Sequence, residues 1–223
     1  MRFVFLTIVM IITTSVCCQH YREFEGVIKY QHKFLFTTPE VDSLQVFDAV
    51  GTSSVFYYKE GNYKWVYFSD SNSHIEYFDA KTQTIYSQYG ENDTLFMGKR
   101  NGYDDSLVLF KLEDKDDTVC GLRCRKAVTF TFTKDDTDLQ NKRILYYSPI
   151  VLIGPERFSN YRTYATNKVL NEIKCWPIKI VFESSKFMPF DIIIEAVEII
   201  PKKLSDSEVY LPPKKPIKQL PLF

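Results

Sequence analysis

Aspartates gather in two short clusters of this chain, and clustered carboxylates are the ligands that Ca²⁺ prefers. The clusters are Asp114, Asp116 and Asp117, and then Asp135, Asp136 and Asp138. A calcium loop adds a glycine turn and a distal glutamate to such carboxylates, and neither cluster has that completion. Each falls between two candidate strands, where Asp favours turn geometry. We therefore predict two solvent-exposed hairpin turns here and no metal site.

Histidine and cysteine, the other common ligands and nucleophiles, are sparse. The histidines His20, His32 and His74 have no metal-binding spacing. Cys120 and Cys124 form a Cys-x3-Cys pair without a companion histidine, which is weak as a zinc site. The chain also lacks the Gly-x-Ser-x-Gly elbow of hydrolases and a phosphate-binding glycine loop. These patterns predict no catalytic residues, no cofactor and a protein that is not an enzyme.

Aromatic side chains are the clearest excess, with 15 Tyr, 18 Phe and 2 Trp among 223 residues. Strand propensity and core packing account for most of them. The polar tips of the tyrosine and tryptophan rings also suit the rim of an apolar cavity. The apolar run Ile150–Ile153, which lies between Pro149 and Gly154-Pro155, needs cover on both faces. We expect this run to bound an apolar cavity. The candidate ligand-binding residues are Tyr58, Trp65, Tyr67, Tyr147, Leu152 and Ile153.

The first eighteen residues have the pattern of a secretory signal peptide. Arg2 gives a positive start, and the apolar run over residues 3–12 is too short to span a membrane, which takes about 20 residues. We expect cleavage after Cys18, which leaves Gln19 as the mature terminus. The rival reading is a lipoprotein signal with Cys17 or Cys18 acylated. Either way, the protein is expected to be exported, to the periplasm, to an outer-membrane-associated position or to the outside of the cell.

Export also bears on the three cysteines that follow the signal peptide, Cys120, Cys124 and Cys175. An oxidising compartment permits a disulfide, and an odd count leaves one thiol over. Cys120 could pair with Cys124 across the short loop between them, or Cys124 could pair with Cys175. The spacing leaves both pairings open.

Charge and length limit the classes of partner. The 28 basic residues balance the 28 acidic ones, and loss of Arg2 with the signal peptide leaves one net negative charge. Without a basic block, the chain lacks the electrostatic footprint of a nucleic-acid-binding protein. No later segment is long and apolar enough to span a membrane as a helix. We expect one domain over residues 19–210 and a proline-rich extended tail over residues 211–223.

The hydrophobic pattern of the domain has a period of two, which is typical of half-buried antiparallel strands. Near the start, Ile28 and Tyr30 share one face, and in the segment 127–133 Phe130 and Phe132 alternate with threonines. We place these aromatic and aliphatic sets on the inward face. About eleven such segments follow one another with turn residues between them. Short helices are expected near residues 40–47, 161–173 and 205–210.

Several short motifs in this order carry a family likeness. They are Gly26-Val27-Ile28-x-Tyr30, an aromatic hairpin, Gly121-Leu122-Arg123-Cys124-Arg125-Lys126-Ala127, and Tyr147-Ser148-Pro149-Ile150-Val151-Leu152-Ile153-Gly154-Pro155-x-x-Phe158. Over residues 24–217 the chain resembles the GLPGLI family of secreted proteins of Bacteroidota. The hexapeptide that names the family is absent, and Ser159–Ile173 stands where it should follow Phe158.

The resemblance implies a mainly β fold similar to the lipoprotein carriers. That fold is a single incomplete antiparallel β-barrel, with a few short helices or loops on its concave side, and the family has no established enzymatic activity. We therefore expect a cell-envelope binding protein that holds an apolar ligand, such as a lipid or a lipidated segment, in a half-open barrel. The alternative is a structural or interaction module of the envelope with a packed interior and no ligand. Nothing in the sequence indicates an oligomeric state.

Overall fold

The structure is a computed structural model that describes residues 22–38, 41–70, 73–98, 105–133, 136–185 and 188–219. The expected signal peptide and the new terminus at Gln19 lie outside these residues. In this part of the chain no helix has the length and apolar character needed to cross a membrane. The elements are β1 (Gly26–Phe36), α1 (Ser43–Val50), β2 (Ser53–Lys59), β3 (Asn62–Phe68), β4 (Ser73–Asp79), β5 (Thr84–Tyr89), β6 (Leu95–Met97), β7 (Asp105–Val119), β8 (Leu122–Thr133), β9 (Asp136–Leu152), α2 (Thr166–Ile173), β10 (Cys175–Phe182), β11 (Phe190–Pro201), α3 (Asp206–Val209) and β12 (Ile217–Gln219).

The prediction of a mainly β chain is confirmed. All twelve strands of the described residues join one sheet in the order β12-β6-β5-β4-β3-β2-β1-β11-β10-β9-β8-β7. Every ladder is antiparallel except that between β12 and β6, which is parallel. The sheet is not closed, because its two edge strands β7 and β12 form no ladder with each other within the described residues. It is nevertheless strongly curled, since β7 contacts β11, four places away in the order.

The concave side of the sheet is filled by residues 155–173, which we call the plug segment. It consists of a 3-10 turn at Pro155–Phe158, a second at Thr163–Ala165, and helix α2. The helix is amphipathic: Val169, Leu170 and Ile173 are buried against the sheet, whereas Lys168 faces solvent. Burial of such an apolar stripe, rather than intrinsic propensity, stabilises so short a helix. The expected helices near 40–47 and 205–210 correspond to α1 and α3.

A tight approach couples the plug segment to the sheet. Gly61 has φ of +82°, and a Cβ built on it would collide with the side chain of Arg157 in the plug segment. Only glycine satisfies both the positive φ and the missing space. The β2–β3 turn is thus fitted to the plug segment that lies over it.

On strand β8 the face that points inward is the opposite of the predicted one. On β8, Thr129 and Thr131 are 0% exposed and share the buried face with Ala127, whereas Phe130 and Phe132 are only half-buried. The register explains the face, because Thr129 pairs with the inward Arg143, and Phe130 pairs with Lys142 on the outer side. The 3-10 turn at Thr163–Ala165 contacts this strand, so the smaller threonines fit where phenylalanine rings would not.

The prediction of a turn at the first aspartate cluster is also wrong. Its residues lie within the long strand β7, and the turn to β8 is made by Cys120 and Gly121. Both turn residues have positive φ, 50° and 74°, as a two-residue type I′ hairpin requires. A glycine at the second position makes this the favoured turning point. The sequence predicts a turn at the second cluster, but Asp136 and Asp138 lie in strand β9, whereas Asp135 lies outside the described residues.

The apolar run after Pro149 is an ordinary continuation of β9 rather than a segment covered on both faces. Ile150 is 50% exposed, whereas Val151 and Ile153 are buried, as strand alternation requires. The ladder with β8 ends at Tyr147, and beyond it β9 pairs only with β10. Pro149 lacks an N–H donor, so it is tolerated where one side of the strand is unpaired. Between Gln219 and the end of the expected tail, nothing is described.

Candidate functional site

A cavity of about 320 Å³ lies between the inner face of the sheet and the plug segment. Strands β3, β4, β9, β10 and β11 form one wall, and the end of the plug segment forms the other. Its lining is mainly aromatic and aliphatic, and it includes Trp65, Tyr67, Glu76, Arg143, Tyr161 and Trp176. β4 and β9, which carry the two charged residues, lie six places apart in the sheet order. The curl of the sheet therefore brings both residues to one cavity.

Stacked rings hold the aromatic wall of the cavity. Phe56 stacks on Trp176 with ring centroids 4.5 Å apart, and Trp65 stacks on Tyr67 at 5.0 Å. Phe158 of the plug segment stacks on Phe78 at 5.1 Å. Such pairs stabilise beyond their burial by about 0.5–1.5 kcal/mol each. Rings from both the sheet and the plug segment, Phe56, Phe78 and Phe158 among them, thus pack behind the aromatic side chains that line the cavity.

Arg143 is the most unusual side chain of the cavity, because it is charged and only 6% exposed. Its guanidinium lies 4.9 Å from the ring centroid of Tyr164, and its Nη2 donates to the Tyr164 carbonyl at 2.6 Å. Its Nε is buried and has no hydrogen-bond partner in the structure. Burial lowers the pKa of Arg143 to about 10, against the opposing effects of Tyr164, Tyr161 and Asp105. The guanidinium therefore stays charged at neutral pH.

Glu76 brings a carboxyl group to the same cavity. The hydroxyl of Tyr63 donates to its Oε1 at 2.5 Å and lies 3.2 Å from the hydroxyl of Tyr161. Burial raises the pKa of Glu76, and the hydrogen bond from Tyr63 acts in the opposite direction. Burial also raises the pKa of Tyr161. The charge of Glu76 raises this pKa further, and the charge of Arg143 lowers it. Tyr161 is thus within electrostatic range of both charged residues.

Trp65 adds a second donor without an acceptor. Its indole is 7% exposed and lines the cavity, and its Nε1 is buried without a hydrogen-bond partner. Buried donors are normally paired. The residues that line the cavity therefore include three buried donors without a partner: Trp65 Nε1, Arg143 Nε and Trp176 Nε1.

A second cavity, of about 440 Å³, adjoins the first near the end of α1. Tyr67 lines both cavities and so lies at their boundary. The His74 ring stacks on Tyr67 at 5.4 Å and on Tyr89 at 4.7 Å. Burial lowers the pKa of His74, so its imidazole is neutral at neutral pH.

Of the six residues suggested by the sequence, two line the 320 Å³ cavity: Trp65 and Tyr67. Tyr58 is fully buried in the core, and its hydroxyl donates to Glu23. Tyr147 and Ile153 are also buried in the core, and Leu152 packs against it. These four residues line neither of the two cavities.

Sequence reasoning missed Arg143 and Glu76, the two charged residues of the cavity. The phase of the strand carries the signal for Arg143, because it shares a face with Leu145, which also lines the cavity. Glu76 shares a face with Phe78, which is 2% exposed. A charged residue two positions from a buried residue of the same strand lies on the buried face. Burying a charge costs free energy, so such a residue is a candidate for a functional role.

The cysteines are thiols in the structure, with Cys124 and Cys175 buried and Cys120 exposed. The predicted disulfide pairings stay predictions. Among the described residues, no three His, Cys, Asp or Glu side chains are grouped so that they could hold a metal ion.

No protein-family model matches the sequence, and no curated protein matches it either.

Proposed function

We propose that this protein is an exported, non-enzymatic binding protein that holds a small ligand with an apolar body beneath the plug segment. The cavity is the observation that carries the proposal. Protein interiors leave few voids larger than a water molecule, whereas about 320 Å³ lies within the range of ligand pockets. The mixture of aromatic walls with a few buried polar atoms is also typical of such pockets.

The proposal includes the half-open barrel layout of the lipoprotein carriers and the likeness to GLPGLI proteins. The curled, unclosed sheet and the plug segment on its concave side support that layout. Export and a location in the cell envelope belong to the proposal as well, supported by the signal-peptide pattern of residues 1–18.

The size of the cavity favours a short ligand. A volume of about 320 Å³ equals roughly ten water molecules at about 30 Å³ each. A methylene group takes up about as much space as a water molecule, so a chain with about ten non-hydrogen atoms fills it.

The second candidate function is a structural or interaction module of the envelope with no ligand. Its support is the packing of the core, because four of the six residues that we expected at a ligand are used in packing. The two functions differ in whether the cavity can be filled from solution.

The two tryptophans of the chain give a direct assay, because Trp65 and Trp176 both line the cavity. In a ¹⁵N-labelled mature protein, their indole N–H groups give two resonances that report on the site. Titration with 1-hexanol and 1-octanol should shift both resonances saturably. Val169→Phe should weaken this binding strongly, because Val169 lines the cavity and is 2% exposed.

Lys168→Phe is the matched control, because it adds the same ring to the solvent side of α2. It should bind the alcohols as the wild type does. Circular dichroism and urea midpoints must show that both variants fold, since overpacking costs about 1–3 kcal/mol. Indole resonances that never move in the wild type, or that move equally in Val169→Phe, would favour the packed module.

A further inference from the structure

We infer that the ligand is a carboxylate on a short apolar chain of about eight carbons, and that its carboxylate binds Arg143 beside the indole N–H of Trp65. This inference rests on the proposed function and names the class of ligand. It follows from three properties of the cavity: its unsatisfied donors, its charge and its volume.

The unsatisfied donors call for acceptor atoms. Arg143, Trp65 and Trp176 line the cavity, and each has a buried donor atom with no hydrogen-bond partner: Arg143 Nε, Trp65 Nε1 and Trp176 Nε1. These groups cannot accept a hydrogen bond, so each needs an atom with lone pairs, which a ligand or a water molecule can supply. A hydroxyl oxygen offers two lone pairs, whereas a carboxylate offers about four on two separate oxygens, so a carboxylate can serve more of these donors at once.

The charge of Arg143 calls for an anion. Its hydrogen bond and its cation–π contact both go to Tyr164, which is neutral, so neither contact neutralises it. Asp105 attracts the guanidinium, but its effect on the pKa of Arg143 is smaller than those of burial, Tyr164 and Tyr161. Glu76 also lines the cavity, but burial raises the pKa of its carboxyl and so disfavours its negative charge. Planar guanidinium groups match carboxylates through paired, charge-assisted hydrogen bonds.

The volume then limits the body of the ligand. Octanoate has ten non-hydrogen atoms, which corresponds to the roughly ten water volumes of the cavity. A phospholipid, whose phosphate could also bind arginine, is several times too large. The walls beside Arg143, which include Leu145, Ile180 and Phe182, provide apolar contact for the chain.

The test compares octanoate with 1-octanol at pH 7, read from the two indole resonances. These ligands share the same chain and differ in the charge of the head group. The wild type should bind octanoate about tenfold more tightly than 1-octanol, because one hydrogen bond to a charged group has an effect of about this size. Arg143→Met should lose this preference while it still binds 1-octanol.

Two further variants keep the test decisive if Arg143→Met does not fold. Arg143→Lys retains the charge without the Nε donor, so it should prefer octanoate less strongly than the wild type does. Trp65→Phe should weaken octanoate more than it weakens 1-octanol, read from the indole of Trp176. Arg123→Met removes an exposed arginine that pairs with Asp116, and it should behave as the wild type.

The outcomes separate this inference from the proposed function. Equal affinity of the wild type for octanoate and 1-octanol, or a preference that survives in Arg143→Met, overturns the carboxylate and leaves a binding protein for neutral apolar ligands. Failure of both ligands to shift either indole overturns both proposals. Donors hydrated by water alone would give the first of these results, with no preference between the ligands.

Discussion

Phe158 should be the side chain that anchors the plug segment most strongly to the sheet. It is 0% exposed, and its ring lies against those of Phe78, Trp176 and Tyr58, with centroids 5.1, 5.8 and 6.4 Å away. Truncation of a buried Phe to Ala costs about 3–5 kcal/mol, because transfer energy is lost and a hole is left. The lost ring pairs place Phe158→Ala towards the upper end of that range.

A loss of this size is easy to measure. Domains are stable by about 5–15 kcal/mol, so Phe158→Ala should remove a large share of the free energy of unfolding. With a urea slope of about 2 kcal/mol per molar, a loss of about 4 kcal/mol lowers the midpoint by about 2 M. Tryptophan fluorescence suits the assay, because Trp65 and Trp176 belong to the same aromatic cluster.

Phe68→Ala is the matched control, since it removes the same ring from a position that is 42% exposed. We expect it to cost roughly 1 kcal/mol or less. The reasoning is refuted if the two variants lower the midpoint equally while their urea slopes stay unchanged. In that case the plug segment would not depend on the ring stack that the structure shows.

Three other outcomes are expected. Burial raises the pKa of Glu76 above its ordinary 4.5, so the wild type loses stability as pH rises from 4.5 through the raised pKa. The free energy of unfolding of Glu76→Gln, relative to that of the wild type, should therefore be higher at pH 8 than at pH 4. An equal difference between their urea midpoints at both pH values contradicts this. The Ser205 backbone N–H, the Lys202 side chain and the Ser205 hydroxyl lower the pKa of Glu208 to about 2, so Glu208→Gln should destabilise at pH 7, with the difference vanishing as pH falls from 4.5 towards 2. Mass spectrometry of protein from its source cell should find a mature terminus at Gln19, and an acylated cysteine or an intact Met1 would argue against it.

The strand pattern of this fold could be predicted well because one local rule produces it. A period of two recurs wherever one face of a strand is covered, as in β1, where Ile28 and Tyr30 are buried. The rule fails on β8, because threonine and phenylalanine both favour strands and the alternation alone does not say which set faces inward. There the nearby turn of the plug segment decides the face, and the plug segment is distant in the chain.

The candidate site was harder to predict for a related reason. Trp65 and Tyr67 could be proposed from residue type alone, because aromatic side chains commonly line pockets. Arg143 and Glu76 look like solvent-facing charges until the sheet is known to curl, since they come from strands that are six places apart in it. The curl of the whole sheet determines which face of a strand becomes buried. The sequence of one strand alone does not show it.

The parallel ladder between β12 and β6 gives the C-terminal tail a protective role. A free sheet edge is a template for unwanted strand addition, and short strands flanked by Pro and Lys are poor templates. β12 is three residues long, Pro216 immediately precedes it, and the nearby Lys215 is held by Gln88 at 2.9 Å. A chain that stopped after Tyr210 would uncover β6 on that side. We therefore expect residues 211–219 to cover β6 and to oppose self-association through this edge of the sheet.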